Sequence, residues 1–279
     1  MKNWDIVISS KNKFFKLNFY EIWSYKDLIL MFVKRDVITI YKQTILGPIW
    51  FVIQPVMTML IYVFVFGNIA NISTDGLPQP LFYLAGIIMW NYFSECFIQI
   101  SETFVQNTEI FGKVYFPRIV IPISKIISSL IKFLIQFILF IIFLLFYIIN
   151  MNVVNPSFWI LLMPFLLVLL SALGLGFGLI FTSLTSKYRD LKFLMQFGIQ
   201  LLMFSTPIIY PLSSLKGDVL EIMKLNPLTH IIEAFKFSFL GQGSLDFGGI
   251  LYSTIFTILI VFFGIYVFNR TEKNFIDSI

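Results

Sequence analysis

Cysteine and histidine are nearly missing: Cys96 and His230 are the only ones among 279 residues. No disulfide can close within such a chain, and no Cys/His metal cluster can form. Cys96 lies in an apolar segment and reads as an inert buried thiol. Charge is scarce too, with Asp, Glu, Lys and Arg at 13% against about 25% in an average soluble domain. With 58% hydrophobic residues and a mean hydropathy of +0.87, there is too little polar surface to solvate a globule of this size. The chain therefore reads as an all-α polytopic membrane protein. A transmembrane β-barrel would alternate apolar and polar residues over segments of about ten, and the long unbroken apolar runs exclude it.

Other absences remove functions. There is no Walker A loop: Gly112-Lys113 is followed by Val114 and lacks the upstream glycine, so no nucleotide phosphate is cradled. Loop carboxylates do not pair. Glu102 and Glu109 are isolated and Asp190 stands beside Arg189, which argues against metal-dependent glycosyl or phosphoryl transfer. No secretory leader is expected, because the first apolar run begins far past residue 30, and insertion falls to the spanning helices. The net charge of +5 does not point to nucleic acid, since the positives sit in short loops where topology explains them. No internal repeat supports two fused inverted halves.

What is present turns on residues 41–55. Up to Lys42 the chain is mixed and basic; from Thr44 to Thr74 no Asp, Glu, Lys or Arg occurs. That run exceeds the roughly 20 residues that cross a hydrocarbon core. Gly47-Pro48 starts the helix, with proline in a first turn where its missing N–H costs little. Residues 1–42 form a cytoplasmic segment whose helix, 25–41, carries an apolar stripe of Leu30, Val33, Val37 and Ile40. It suits either the membrane interface, apolar side in lipid, or packing on a partner protein. Residues 43–279 hold six spans, at about 48–70, 80–103, 124–149, 157–182, 193–211 and 250–268. Lys and Arg concentrate in the N-terminal segment, the second loop, the fourth loop and the tail, so both termini are expected in the cytoplasm.

The fifth loop, 211–249, holds two apolar helical stretches broken at Asn226-Pro227, which suggests a re-entrant pair covered by protein. Gly174 and Gly178 have the small-xxx-small spacing of close helix packing. Two ionisable groups fall within spans, Glu95 and Lys132. Antiparallel neighbours would put both about 12 Å deep, and a structural ion pair is favoured over a transport site. The 34 Phe and 12 Tyr exceed what interfacial anchoring needs. Part of that excess can wall a pathway, with Trp50, Phe51, Trp90, Tyr92, Phe204 and Tyr210 as candidates. The second loop, 106–118, alternates charges with aromatics expected to face water, a pattern suited to a short helix docking in another protein's groove.

Five segments, in this order and with six spans, carry a resemblance: YKQTILGPIWFVIQP (41–55), EIFGKVYFPR (109–118), Tyr188-Arg189-Asp190, TPIIYP (206–211) and LNPLTHIIEAF (225–235). Over residues 25–279 the chain resembles the membrane subunit of polysaccharide-exporting ABC transporters, which move O-antigen, teichoic acid or capsular chains. The resemblance implies a homodimer in the lipid of the bacterial cytoplasmic membrane, bound to two copies of a separate ATPase subunit. ATP and Mg would sit on that partner, with no cofactor in this chain. It implies a coupling helix at 107–118, giving Glu109, Ile110, Phe111, Gly112, Lys113, Tyr115, Phe116 and Arg118, with Arg189 and Asp190, as ATPase contacts. It also implies a periplasmic gate at Asn226 and Pro227, and a glycan on a polyprenyl diphosphate lipid as substrate. The alternatives are an ABC exporter of a drug, antibiotic or small lipid, a membrane enzyme acting on a polyprenyl carrier, and a passive scaffold.

Overall fold

The computed structural model describes residues 19–42, 46–111, 113–114, 116–151, 153–188, 190–243 and 245–275. Among them there are helices and no strand. In chain order they are α1 (Phe19–Ser24), α2 (Lys26–Lys42), α3 (Trp50–Tyr62), α4 (Gln79–Ser101), α5 (Thr103–Gln106) and α6 (Thr108–Phe111). Then come α7 (Val120–Met151), α8 (Met163–Thr185), α9 (Leu191–Phe204), α10 (Asp218–Leu225), α11 (Pro227–Leu240) and α12 (Phe247–Phe275). Among the described residues, five helical runs are long and apolar enough to cross a bilayer: Gly47–Ile69, Gln79–Ser101, Val120–Met151, Phe158–Thr185 and Phe247–Thr271. The chain is an all-helical polytopic membrane protein.

The centre is α4. Leu81, Tyr83, Leu84, Ala85, Ile88, Met89, Phe93 and Cys96 have no accessible surface, while α3 and α7 keep most of theirs outward. Around α4 pack α3, α7, α8 and α11, and α12 lies on the far side of α8. The approach of α8 to α4 needs glycine. A Cβ at Gly174 would stand 2.7 Å from Cys96 Cβ, and one at Gly178 would stand 2.6 Å from Ile100 Cβ. These two glycines are packing residues, as their spacing predicts.

Three expectations change. The fifth span is a helix of only 14 residues, about 21 Å long, because the chain leaves helical geometry at Ser205-Thr206-Pro207. Hydropathy alone runs on to Pro211; proline and hydroxyl side chains stop the helix earlier. Thr206 and Ser205 turn their hydroxyls back onto the carbonyls of Met203 and Leu202. Second, α2 does not reserve its stripe for lipid. It buries Ile29, Phe32 and Val33 against Phe116, Val120 and Ile121 at the start of α7, while Leu30 is 60% exposed. Third, the helix pair broken at Asn226-Pro227 is unequal. α11 is buried along its length, whereas α10 leaves Val219, Ile222 and Leu225 exposed.

Asn226 and Pro227 make that break a built joint. Asn226 Oδ1 accepts from Leu228 N at 3.1 Å as the cap of α11, and its Nδ2 donates to Ser205 O at 2.9 Å. Pro227 occupies the first turn, and Gly241, at φ +74°, ends the helix in left-handed geometry.

Candidate functional site

The second loop lies at the end of the bundle where α4 ends and α7 begins. Asn107, 3% exposed, separates α5 from α6, and its side-chain amide donates to Thr103 O at 3.0 Å. Thr182 Oγ1 accepts from Phe104 N at 3.2 Å and Thr185 Oγ1 donates to Ser101 O at 3.0 Å, tying the loop to the end of α8. The aromatic side chains then run in series. Phe32 on α2 lies 5.9 Å from Phe116, Phe116 stacks on Phe111 at 5.7 Å, and Phe111 lies 5.8 Å from Phe104. Phe104 stacks on Phe268 of α12 at 4.9 Å. Arg118, also buried, places its guanidinium 5.2 Å from the Phe111 ring and 6.0 Å from Phe104.

This corrects the expectation that the loop offers its aromatics to water. Phe116 is buried, and Phe111 and Ile110 are half-buried in the same cluster. Among the described residues of the loop, Gln106, Glu109, Lys113 and Val114 are exposed, the last at 58%. Asp190 is exposed at the start of α9, and nearby Lys192 pairs with Glu102 at 2.6 Å. Gly112, Tyr115 and Arg189 lie outside the described residues.

Glu95 and Lys132 meet in an ion pair between α4 and α7. They belong to a polar seam in which Asn91 Nδ2 donates to Gln136 Oε1 at 3.3 Å and Gln99 Nε2 donates to Glu95 at 3.2 Å. The seam opens into a cavity of about 360 Å³ between α2, α4 and α7. Asp36 of α2 reaches into it and pairs with Lys125 at 2.8 Å and with Arg35 at 2.9 Å. Residue-by-residue reading found Glu95 and Lys132 and missed Asp36, Asn107 and Lys125. Only Lys125 had a signal, and it was spacing: Lys125, Ser128, Ser129, Lys132 and Gln136 fall on one face of an otherwise apolar helix.

The pathway aromatics do not come together. Trp90 and Tyr92 are core residues, packed on Phe93 at 5.6 Å and Phe133 at 5.1 Å, so they line no surface. Trp50 and Phe204 are half-exposed but stand on different helices, at the start of α3 and the end of α9. Phe51 lies beside Lys132, with the ammonium 5.6 Å from its ring. Tyr210 donates to Phe204 O at 2.7 Å and so closes the turn after α9.

A second charged group sits at the other end, on α11, outside the spanning helices. Lys236 is 2% exposed, donates to Pro207 O and lies 3.6 Å from the Phe82 ring centre. Burial draws its ammonium down to about 8 and pushes the neighbouring Glu233 carboxyl up. The lysine fastens the irregular 205–211 segment to α11, two stretches that the sequence marks as motifs.

Residues 27–240 match the family model for ABC-2 type transporters, and the chain belongs to that family. It is similar to the O-antigen export system permease protein RfbA of Klebsiella pneumoniae, 27% identical over 253 residues, which cover 90% of this chain and 94% of the relative. RfbA of Myxococcus xanthus is 22% identical, covering 93% and 98% of the two chains. The polysialic acid transport protein KpsM of Escherichia coli is 24% identical, covering 88% and 93%.

Proposed function

We propose that this chain is the membrane subunit of an ATP-driven exporter that moves a polysaccharide carried on a polyprenyl diphosphate lipid across the bacterial cytoplasmic membrane. The observation that carries the reading is end-to-end similarity to permeases named for O-antigen export and polysialic acid transport. Two copies of the chain assemble with two copies of an ATPase subunit that holds ATP and Mg. Both termini face the cytoplasm, which puts loop 102–119 on the ATPase side and α10–α11 on the outer side.

In this reading the second loop receives the mechanical stroke. Glu109, Lys113 and Val114 are its contact face, and Asp190 lies exposed at the start of α9. Phe111, Phe116 and Arg118 do not touch the ATPase. They pass displacement to α2 through Phe32 and to α12 through Phe104 and Phe268, because close-packed aromatic rings transmit rather than absorb small shifts.

The test is ATP turnover of the reconstituted complex in nanodiscs. A polyprenyl-diphosphate-linked glycan should stimulate turnover, and mass measurement should give two copies of each subunit. Stimulation by drugs or short lipids, with none by the linked glycan, would move the assignment to a small-molecule exporter.

A further inference from the structure

The cavity between α2, α4 and α7 is lined by polar and charged residues, although it lies among helices that are otherwise apolar. At about 360 Å³ it far exceeds the 10–15 Å³ or so that one water needs. Its charges are Arg35, Lys125 and Lys132 against Asp36 and Glu95, an excess of one cation. The pairing shows which cation is left over. Lys132 is matched by Glu95, and Lys125, with 8% of its side chain exposed, is matched by Asp36. Arg35 shares Asp36 with Lys125, lies over the Phe32 ring at 4.8 Å and makes long contacts to Asn107 Oδ1 at 3.4 and 3.5 Å, so no second carboxylate is matched to it. It is also the most exposed of the five, at 37% of its side chain.

We infer that this cavity binds the phosphate group of an anionic ligand, taken by Arg35 with Lys125 and Lys132 behind it. A guanidinium holds a phosphate through two parallel N–H···O bonds, better than it holds a neutral amide such as Asn107. The two internal ion pairs balance the deeper lysines and leave one cation in excess in the cavity. The flanking helices present Tyr20 and Trp23 of α1 and Leu30 and Met31 of α2 outward, an apolar and aromatic surface suited to acyl or prenyl chains. The ligand class is therefore a lipid with a phosphate or diphosphate headgroup, and a free phosphate is the other source of the same chemistry. Assigning the diphosphate lipid rests on the export reading above.

Binding is measured on the full chain in nanodiscs of neutral phosphatidylcholine, with polyprenyl diphosphate, the uncharged polyprenol, or inorganic pyrophosphate as probe. Polyprenyl diphosphate should bind and polyprenol should not. Arg35→Gln should weaken binding about tenfold, the equivalent of about 1.4 kcal/mol, and Arg35→Lys should restore part of it. The double variant Glu95→Gln with Lys132→Met leaves the net charge unchanged and should weaken binding less, which keeps the test open if Arg35→Gln misfolds. Pyrophosphate binding as tightly as the lipid would support the anion site and assign it to a soluble anion. Equal affinity of wild type and Arg35→Gln, or equal affinity for polyprenol, would leave only a hydrated ion-pair network and overturn the inference. Failure of binding alongside stimulation by linked glycan sinks this site and spares the export reading; binding without any such stimulation does the reverse.

Discussion

Glu95 and Lys132 keep 31% and 20% of their side chains exposed, so their pairing is worth less than that of a fully buried pair. Removing one partner still leaves a charge between two apolar helices. Glu95→Gln should lower the detergent-state melting temperature, by less than the roughly 3–5 kcal/mol seen when a buried pair is broken. Adding Lys132→Met should recover part of that loss. Simple additivity of the two changes would show that the pair is not coupled. At this scale the sequence was informative where spacing carried the signal. Glu95 and Lys132 stand at matching depths on antiparallel neighbours, and Gly174 and Gly178 repeat at the interval of close contact. Asp36 was not legible, because its partner Lys125 comes from a helix far along the chain. Nor was the burial of Trp90 and Tyr92, since periodicity cannot distinguish a helix surrounded on all sides from one facing lipid.

Among the elements, the second loop separates two roles that its sequence had merged. Phe116 is buried under α2, so Phe116→Ala should destabilise the isolated chain by about 3–5 kcal/mol. Lys113→Glu and Val114→Asp lie on the surface and should change stability by no more than about 0.5 kcal/mol. Those two variants should nonetheless lose co-purification of the ATPase. Thermal melting and pull-down on the same preparations separate the outcomes. Loss of ATPase binding by Phe116→Ala alone, with both surface variants normal, would place the docking face elsewhere. Alternating charges and aromatics announced a special loop. Which aromatics turn inward depends on Phe32 and Phe268, partners that the loop sequence does not contain. The short α9 has a similar cause: apolar residues continue to Pro211, and only the hydroxyl and proline chemistry at 205–207 marks the stop.

For the whole molecule, the charge distribution and the order of the spans make one claim about orientation. Cysteines introduced at Asp75 and Lys216 should react with an impermeant thiol reagent in intact cells, and those at Lys113 and Lys187 should not. Native Cys96 is buried and should stay silent. Labelling of Lys113 or Lys187 from outside would invert the bundle and remove loop 102–119 from the ATPase side.

The central claim is transport, and movement of a lipid-linked glycan into inside-out vesicles tests it most directly. Vesicles holding this chain and its ATPase should make a polyprenyl-diphosphate-linked polysaccharide resistant to added glycosidase, only with ATP, and much more slowly with Lys113→Glu. Glycan that stays fully digestible in vesicles whose ATPase is assembled and turning over would contradict the account.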